Sequence, residues 1–172
     1  MDLPGYVSVG LGTYGHEQCR FQRFADKEQI KVGKYCSIAR GVEFLTGGGH
    51  NYKQVSTYPF PGEAGRSYHS TEDIVIGNDV WIGEGAKILG GTNVRDGSVI
   101  GAYSVTRGRF PSFTVIYGNP ARPIRQRFHR DIIAVLLKIA WWNWPQSLIE
   151  ERLEWFYKPV EEFVEEFYGG VR

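Results

Sequence analysis

Residues 76–106 read IGNDVWIGEGAKILGGTNVRDGSVIGAYSVT, and an aliphatic side chain returns at every sixth position, at Ile76, Ile82, Ile88, Val94 and Ile100. Four places after each stands a small or β-branched residue: Val80, Ala86, Thr92, Ser98 and Ser104. A period of six fits neither the 3.6 of a helix nor the 2 of a half-exposed strand. It is the period of a parallel β-helix built from hexapeptides, in which each hexad forms one short face of a triangular coil. The aliphatic residue then points inward and stacks on the next turn, the small residue fits beside the corner, and glycine or a polar residue turns the chain.

Outward from this block the pattern recurs at Val32 with Cys36, at Ile38 with Val42, and once in isolation at Val9 with Thr13. Gly10, Gly33, Gly77, Gly83 and Gly101 directly follow aliphatic positions, whereas Leu89 and Arg95 stand where a small or acidic residue is usual. Cys36 reads as a small inward filler rather than a nucleophile, the usual role of a buried free thiol. Between the blocks, residues 45–73 lose the period and carry Gly47-Gly48-Gly49 and two of the four histidines. Such an excursion from a regular scaffold is a place for chemistry, because the scaffold fixes its ends.

The repeat ends at Thr106 in this reading, and Gly118-Asn119-Pro120 marks a turn. Ile124, Phe128, Ile132, Leu136 and Ile139 then recur at three or four, which predicts an amphipathic helix with Pro123 in its first turn. Trp141-Trp142-Asn143-Trp144-Pro145 ends it. Two short helices are expected over 146–157 and 159–168, with Trp155, Phe156, Phe163 and Phe167 on their buried faces. The expected organisation is a mainly β coil over 1–122 with a loop over 45–73. A helical extension over 123–172 would pack on the coil or on a neighbouring subunit.

Composition limits what such a chain does. Its 172 residues suit one compact domain and an appendage. With 42% apolar and 23% charged residues it is neither disordered nor fibrous. Twenty basic against nineteen acidic side chains leave a formal charge of +1, no field for nucleic acid or an anionic membrane. Two cysteines make neither a disulfide framework nor a four-ligand zinc site. The first residues lack the features of a signal peptide and no apolar run is long enough to span a bilayer, so a cytoplasmic protein is expected.

Several stretches together carry a more specific resemblance. They are VGKYCSIARGVEF from Val32, GGGHNYKQVSTYPF ending at Phe60, IVIGNDVWIG from Ile74, YGNPA from Tyr117, and WWNWP from Trp141. In this order they resemble the xenobiotic acetyltransferases, the family of the hexapeptide-repeat chloramphenicol and streptogramin acetyltransferases. The resemblance implies a left-handed coil, a homotrimer with active sites between subunits, and acetyl transfer from acetyl-coenzyme A to an acceptor hydroxyl without a metal. It makes His50 the catalytic base, a role suited to imidazole, which can take the proton of a weakly nucleophilic hydroxyl as it attacks the thioester. By the same resemblance Trp81, Gly101, Ala102, Asn119, Arg122 and Arg125 fall on the coenzyme side, where arginines suit phosphate oxygens. Tyr14, Tyr35 and Tyr58 fall on the acceptor side.

Two features depart from the antibiotic-modifying pattern. Gly49 stands where an Asn is common, and the excursion after Phe60 is short, so a sugar hydroxyl is as open an expectation as an antibiotic. Other classes fit less well. Gly10-Leu11-Gly12-Thr13-Tyr14-Gly15 satisfies a dinucleotide fingerprint but lacks the strand and helix around it. His16, His50, His69 and His129 have no closely spaced pair for a carbonic anhydrase-like zinc centre. A purely structural or binding β-helix would not need a histidine-bearing loop.

Overall fold

The computed structural model describes residues 3–24, 27–58, 60 and 72–169. The chain divides into two compact units, Met1–Arg125 and Gln126–Arg172.

The first unit is mainly β, and its strands up to β13 pair in parallel. Short strands follow one another around three faces. β1 (Val7–Val9), β3 (Ile30–Val32), β6 (Ile74–Ile76), β9 (Asn93–Val94) and β12 (Arg109–Phe110) form sheet A. β4 (Ser37–Ile38), β7 (Trp81–Ile82), β10 (Val99–Ile100), β13 (Thr114–Gly118) and β14 (Ala121–Gln126) form sheet B. β2 (Arg20–Arg23), β5 (Glu43–Thr46), β8 (Lys87–Leu89) and β11 (Val105–Thr106) form sheet C. From β3 to β13 the chain visits A, B and C in strict rotation, as the six-residue period requires.

The register shows why the period is six. Ile76 pairs with Val94, and Ile82 with Ile100, each one full turn of three hexads later. Ile38, Ile82, Ile100 and Ile116 stack inside sheet B, while Phe44 and Ile88 stack inside sheet C. All are buried, and Phe21 lies against Phe44 with ring centroids 5.0 Å apart. Where the small residue four places on is Ser or Thr, its hydroxyl can serve a backbone carbonyl at the corner. Thr13 Oγ1 donates to the Gly33 carbonyl at 2.8 Å, Thr92 Oγ1 to Thr106 at 2.9 Å, and Ser98 Oγ to Pro111 at 3.1 Å. These three hydroxyls are thus paired, which removes the penalty of enclosing them. The glycines after aliphatic positions answer a close approach of backbones: a Cβ on Gly10 would stand 2.6 Å from the Gly33 carbonyl carbon.

Three boundaries differ from the sequence reading. The excursion begins at Gly47 rather than at residue 45, since Leu45 and Thr46 remain in β5. The coil also continues past Thr106. Phe110 pairs with Arg95's neighbour Val94, and Ile116 with Ile100, a turn shortened to 16 residues by a slip of two beside Gly108. The slip puts the next inward residue, an aromatic one, out of phase with a count of aliphatics by six. The helix expected from Ile124 is instead strand β14, joined to β13 through Asn119-Pro120 alone. A link of two residues allows only antiparallel pairing. Pro123 sits there on an outer strand of sheet B, where a missing N–H is tolerated.

In the second unit α1 (Arg130–Ile139) buries Ile133 and Leu136. A turn over Trp141–Asn143 leads to α2 (Gln146–Glu151), then a 3-10 segment over Leu153–Tyr157, then α3 (Val160–Tyr168). Their core is aromatic. Trp144 lies 6.1 Å from Phe163 and 4.9 Å from Phe167, and Trp141 meets Phe156 at 4.9 Å. Lys138 of α1 donates to the Tyr168 hydroxyl of α3 at 2.8 Å. Among the described residues no helix is long and apolar enough to cross a membrane.

Candidate active site

His50 stands on the loop that leaves sheet C after β5, and its ring is exposed. Gly48, at φ 75°, begins the approach with no room for a side chain, because a Cβ would stand 2.7 Å from the Phe24 ring. His50 Nδ1 lies 2.6 Å from the Thr57 carbonyl oxygen. A carbonyl only accepts, so this contact places the proton on Nδ1 and leaves the Nε2 lone pair free. The sequence reading missed Thr57 as a partner; its signal is only that it lies inside the same loop motif. Tyr58 follows it, 63% exposed, with its ring edge-on to Phe60 at 4.9 Å. His69 lies outside the described residues.

The other candidates gather on sheet B. Tyr14 forms a parallel bridge to Ser37, Ser37 pairs with Trp81, Trp81 with Val99, and Val99 with Val115. Successive residues along this ladder share one outward face. Trp81 is 57% exposed and Tyr14 is 64% exposed, so two large aromatic faces meet solvent on one surface. Gly101 and Ala102 form the corner that follows β10. Gly101 is roofed by the Tyr117 ring, and Ala102 is exposed. Asn119, Arg122 and Arg125 are exposed along the β13–β14 edge of the same sheet, and Arg122 Nη1 donates to the Ala121 carbonyl at 3.0 Å. Of the neighbouring cations, Arg107 is committed to Glu72 at 2.6 Å.

Tyr35 stands apart from this face, at the corner between sheets A and B. It holds φ at 55° and lays its ring over Gly12, half-buried, as a corner stabiliser. Cys36 is fully buried, its Sγ 3.1 Å from the Gly77 carbonyl, and burial pushes its thiol up to about 11. A thiol so held is not a nucleophile at neutral pH. Two surface concavities, one lined by His16, Cys19 and Phe21 and one by Arg40, Glu84 and Tyr103, include none of the candidate site residues. Within one chain the structure therefore brings Tyr14, Trp81 and the β13–β14 edge onto one face, and it carries His50 with Tyr58 on a loop that departs from another.

This face suits coenzyme A. An exposed indole and the apolar Val99 and Val115 can take its thiol-bearing arm, and exposed arginines at the sheet edge can take its phosphates. Residues 73–108 match the family model described as "Bacterial transferase hexapeptide (six repeats)". Over 163 residues the chain is 39% identical to a chloramphenicol acetyltransferase of Agrobacterium fabrum, covering 86% of this chain and 78% of that protein. It is 38% identical over 138 residues to a chloramphenicol acetyltransferase of Escherichia coli, covering 74% of this chain and 66% of the relative. Among solved structures, a maltose O-acetyltransferase from Clostridium difficile 630 aligns with a TM-score of 0.54 at 28% identity, over 71% of this chain and 59% of that one. With the coil, the loop and the exposed tryptophan in the expected order, the chain belongs to the xenobiotic acetyltransferases of the hexapeptide-repeat family, enzymes whose co-substrate is acetyl-coenzyme A.

Proposed function

We propose that this acetyltransferase moves acetyl from acetyl-coenzyme A to a hydroxyl of a small-molecule acceptor, with Nε2 of His50 as the general base. The observation that carries this is the 2.6 Å contact between His50 Nδ1 and the Thr57 carbonyl, which fixes the tautomer a base needs. Nε2 takes the proton of the acceptor hydroxyl while its oxygen bonds to the thioester carbonyl carbon. The carbon–sulfur bond then breaks, and the coenzyme thiolate leaves with the proton returned by the imidazolium. Trp81 packs beside the thioester arm, Gly101 and Ala102 line its path, and Asn119, Arg122 and Arg125 stand toward the phosphates. Tyr14, Tyr35 and Tyr58 lie on the acceptor side, Tyr35 by shaping the corner under Tyr14. In this reading the coil is left-handed, the enzyme is a cytoplasmic homotrimer, and each site is shared between neighbours.

The acceptor has two readings. The chloramphenicol acetyltransferases among the relatives favour an antibiotic. Gly49 and the short excursion after Phe60 favour a smaller, sugar-like hydroxyl, in keeping with the maltose O-acetyltransferase likeness.

The test is release of coenzyme thiol with chloramphenicol, a streptogramin and simple glycosides as acceptors, for the wild type and for His50→Ala. Turnover on the best acceptor should fall by about 10²–10⁴ in the variant, with the KM for acetyl-coenzyme A little changed. Turnover within a few-fold of wild type would remove His50 from the mechanism.

A further inference from the structure

Between the two aromatic faces of sheet B stands one hydroxyl. Tyr14, Ser37 and Trp81 occupy consecutive places on one outward ladder, so Tyr14 and Trp81 are two strand spacings apart, about 10 Å, with Ser37 between them. The ladder continues through Val99 and Val115, which makes Ser37 the polar floor of an otherwise apolar strip. Ile38 beside it points inward and is buried, so strand alternation turns the Ser37 side chain out. The backbone N–H of Ser37 donates to the Val80 carbonyl at 3.0 Å, while its hydroxyl has no partner among the described residues. The same holds for the Tyr14 hydroxyl. A fixed strand thus presents a donor-acceptor group with two aromatic walls beside it and no bonding partner among the described residues.

We infer that Ser37 is a specificity-determining residue, whose hydroxyl binds a second hydroxyl on the acceptor, adjacent to the one that is acetylated. The acceptor class is accordingly a diol, in which a flat apolar part lies against Tyr14 and one hydroxyl bonds Ser37 while the other meets the base. This rests on the reading of Trp81 as the coenzyme side and Tyr14 as the acceptor side. A diol fits the floor because the junction of the two walls is where acceptor and thioester meet, and a group held there fixes which hydroxyl faces the reacting carbon. Sites that pair a substrate hydroxyl discriminate against analogues lacking it, since their own polar group is then left unpaired. Ser37 is half-buried and reachable by water, so the discrimination is about tenfold rather than the thousands of an enclosed site.

The experiment compares chloramphenicol, a 1,3-diol, and methyl galactopyranoside, a polyol containing diol pairs, with each of their mono-deoxy analogues, in wild type, Ser37→Ala and Ser37→Thr. In the wild type, removing the second hydroxyl should lower kcat/KM about tenfold. Ser37→Ala should lower kcat/KM for the diol by a similar factor, leave the deoxy analogue nearly unchanged, and leave the KM for acetyl-coenzyme A unchanged. Ser37→Thr, which keeps a hydroxyl on a strand position, should restore most of the preference. A preference for the diol that persists in Ser37→Ala overturns the inference, as does acetylation of neither diol. Trp81→Ala separates the two levels. If it leaves the acetyl-coenzyme A KM unchanged, the assignment of the face fails; if it raises that KM while Ser37→Ala behaves as wild type, only the role of Ser37 fails.

Discussion

Burial decides the chemistry of single residues here more than residue type does. Cys36 is fully buried and Cys19 partly so. Desolvation, assisted for Cys19 by the charge of Glu17, raises its thiol to about 12, and Cys36 to about 11. Both are therefore protonated in the native protein well beyond the range where an unfolded cysteine, near 8.5, ionises. Below about pH 8.5 native and unfolded chains hold these protons alike; above it the unfolded chain releases them first, so stability declines from there toward about pH 11. We expect the urea midpoint to drop between pH 8 and pH 10, and to drop less in a Cys19→Ala/Cys36→Ala protein. An equal drop in both proteins would assign the alkaline loss to other groups. Cys36 is legible in the sequence as a filler because its place four after Val32 is an inward corner slot. The corner of Tyr35 was not legible. Its fourth place in the hexad needs a left-handed backbone, and Tyr35, Asp79, Tyr103 and Phe113 all adopt one at φ 53–56° where glycine is the usual choice. An aromatic ring laid over the preceding turn compensates at Tyr35, Tyr103 and Phe113, over Gly12, Gly85 and Gly97. The resemblance puts Tyr35 on the acceptor side, and within the coil its ring lies over Gly12.

At the scale of elements, the hexads from Ile76 to Ile100 were readable because every turn repeats the same burial demand on the same side chain. Where the demand changes, the six-residue count no longer marks the inward residue. Phe44 and Phe110 fill aliphatic slots with rings, and the slip beside Gly108 moves the last turn out of phase, so the coil looked shorter than it is. Ile124 was drawn into a helix by its spacing to Phe128 and Ile132, but it is 60% exposed on β14 and belongs to no buried face. Pairing with β13 outweighs a weak local helical pattern, as tertiary context routinely does. This difference has a measurable consequence. Ile116→Ala, in β13 and fully buried, should cost about 2–5 kcal/mol by denaturant titration. Ile124→Asn should cost less than about 0.5 kcal/mol, as an exposed position does. A large loss at Ile124 would restore it to a buried face.

For the whole molecule, the arrangement of His50 and Trp81 has an assembly consequence. The loop bearing His50 leaves the coil from the end of sheet C and Trp81 stands on sheet B, so under the proposed roles one coil presents base and coenzyme face on different sides. Three copies around an axis would set the loop of each against sheet B of the next, and closed cyclic symmetry makes the three sites equivalent. The exposed Tyr52, Val55, Tyr58 and Phe60 of the loop would then lose their contact with water at that junction. Sedimentation equilibrium should report a trimer, and a stable, fully active monomer would contradict the shared site. Complementation supplies the sharper measurement. His50→Ala and Trp81→Ala proteins, each weak alone at low acetyl-coenzyme A, would be mixed in equal amounts, dissociated and reassembled. If base and coenzyme face come from neighbouring subunits, a site is intact when a Trp81→Ala subunit supplies the histidine and a His50→Ala subunit the tryptophan. Random assembly makes that about a quarter of all sites. Activity should therefore rise to about a quarter of wild type, well above either parent. If both residues of a site come from one chain, no mixed trimer contains an intact site, and activity stays at the average of the two parents.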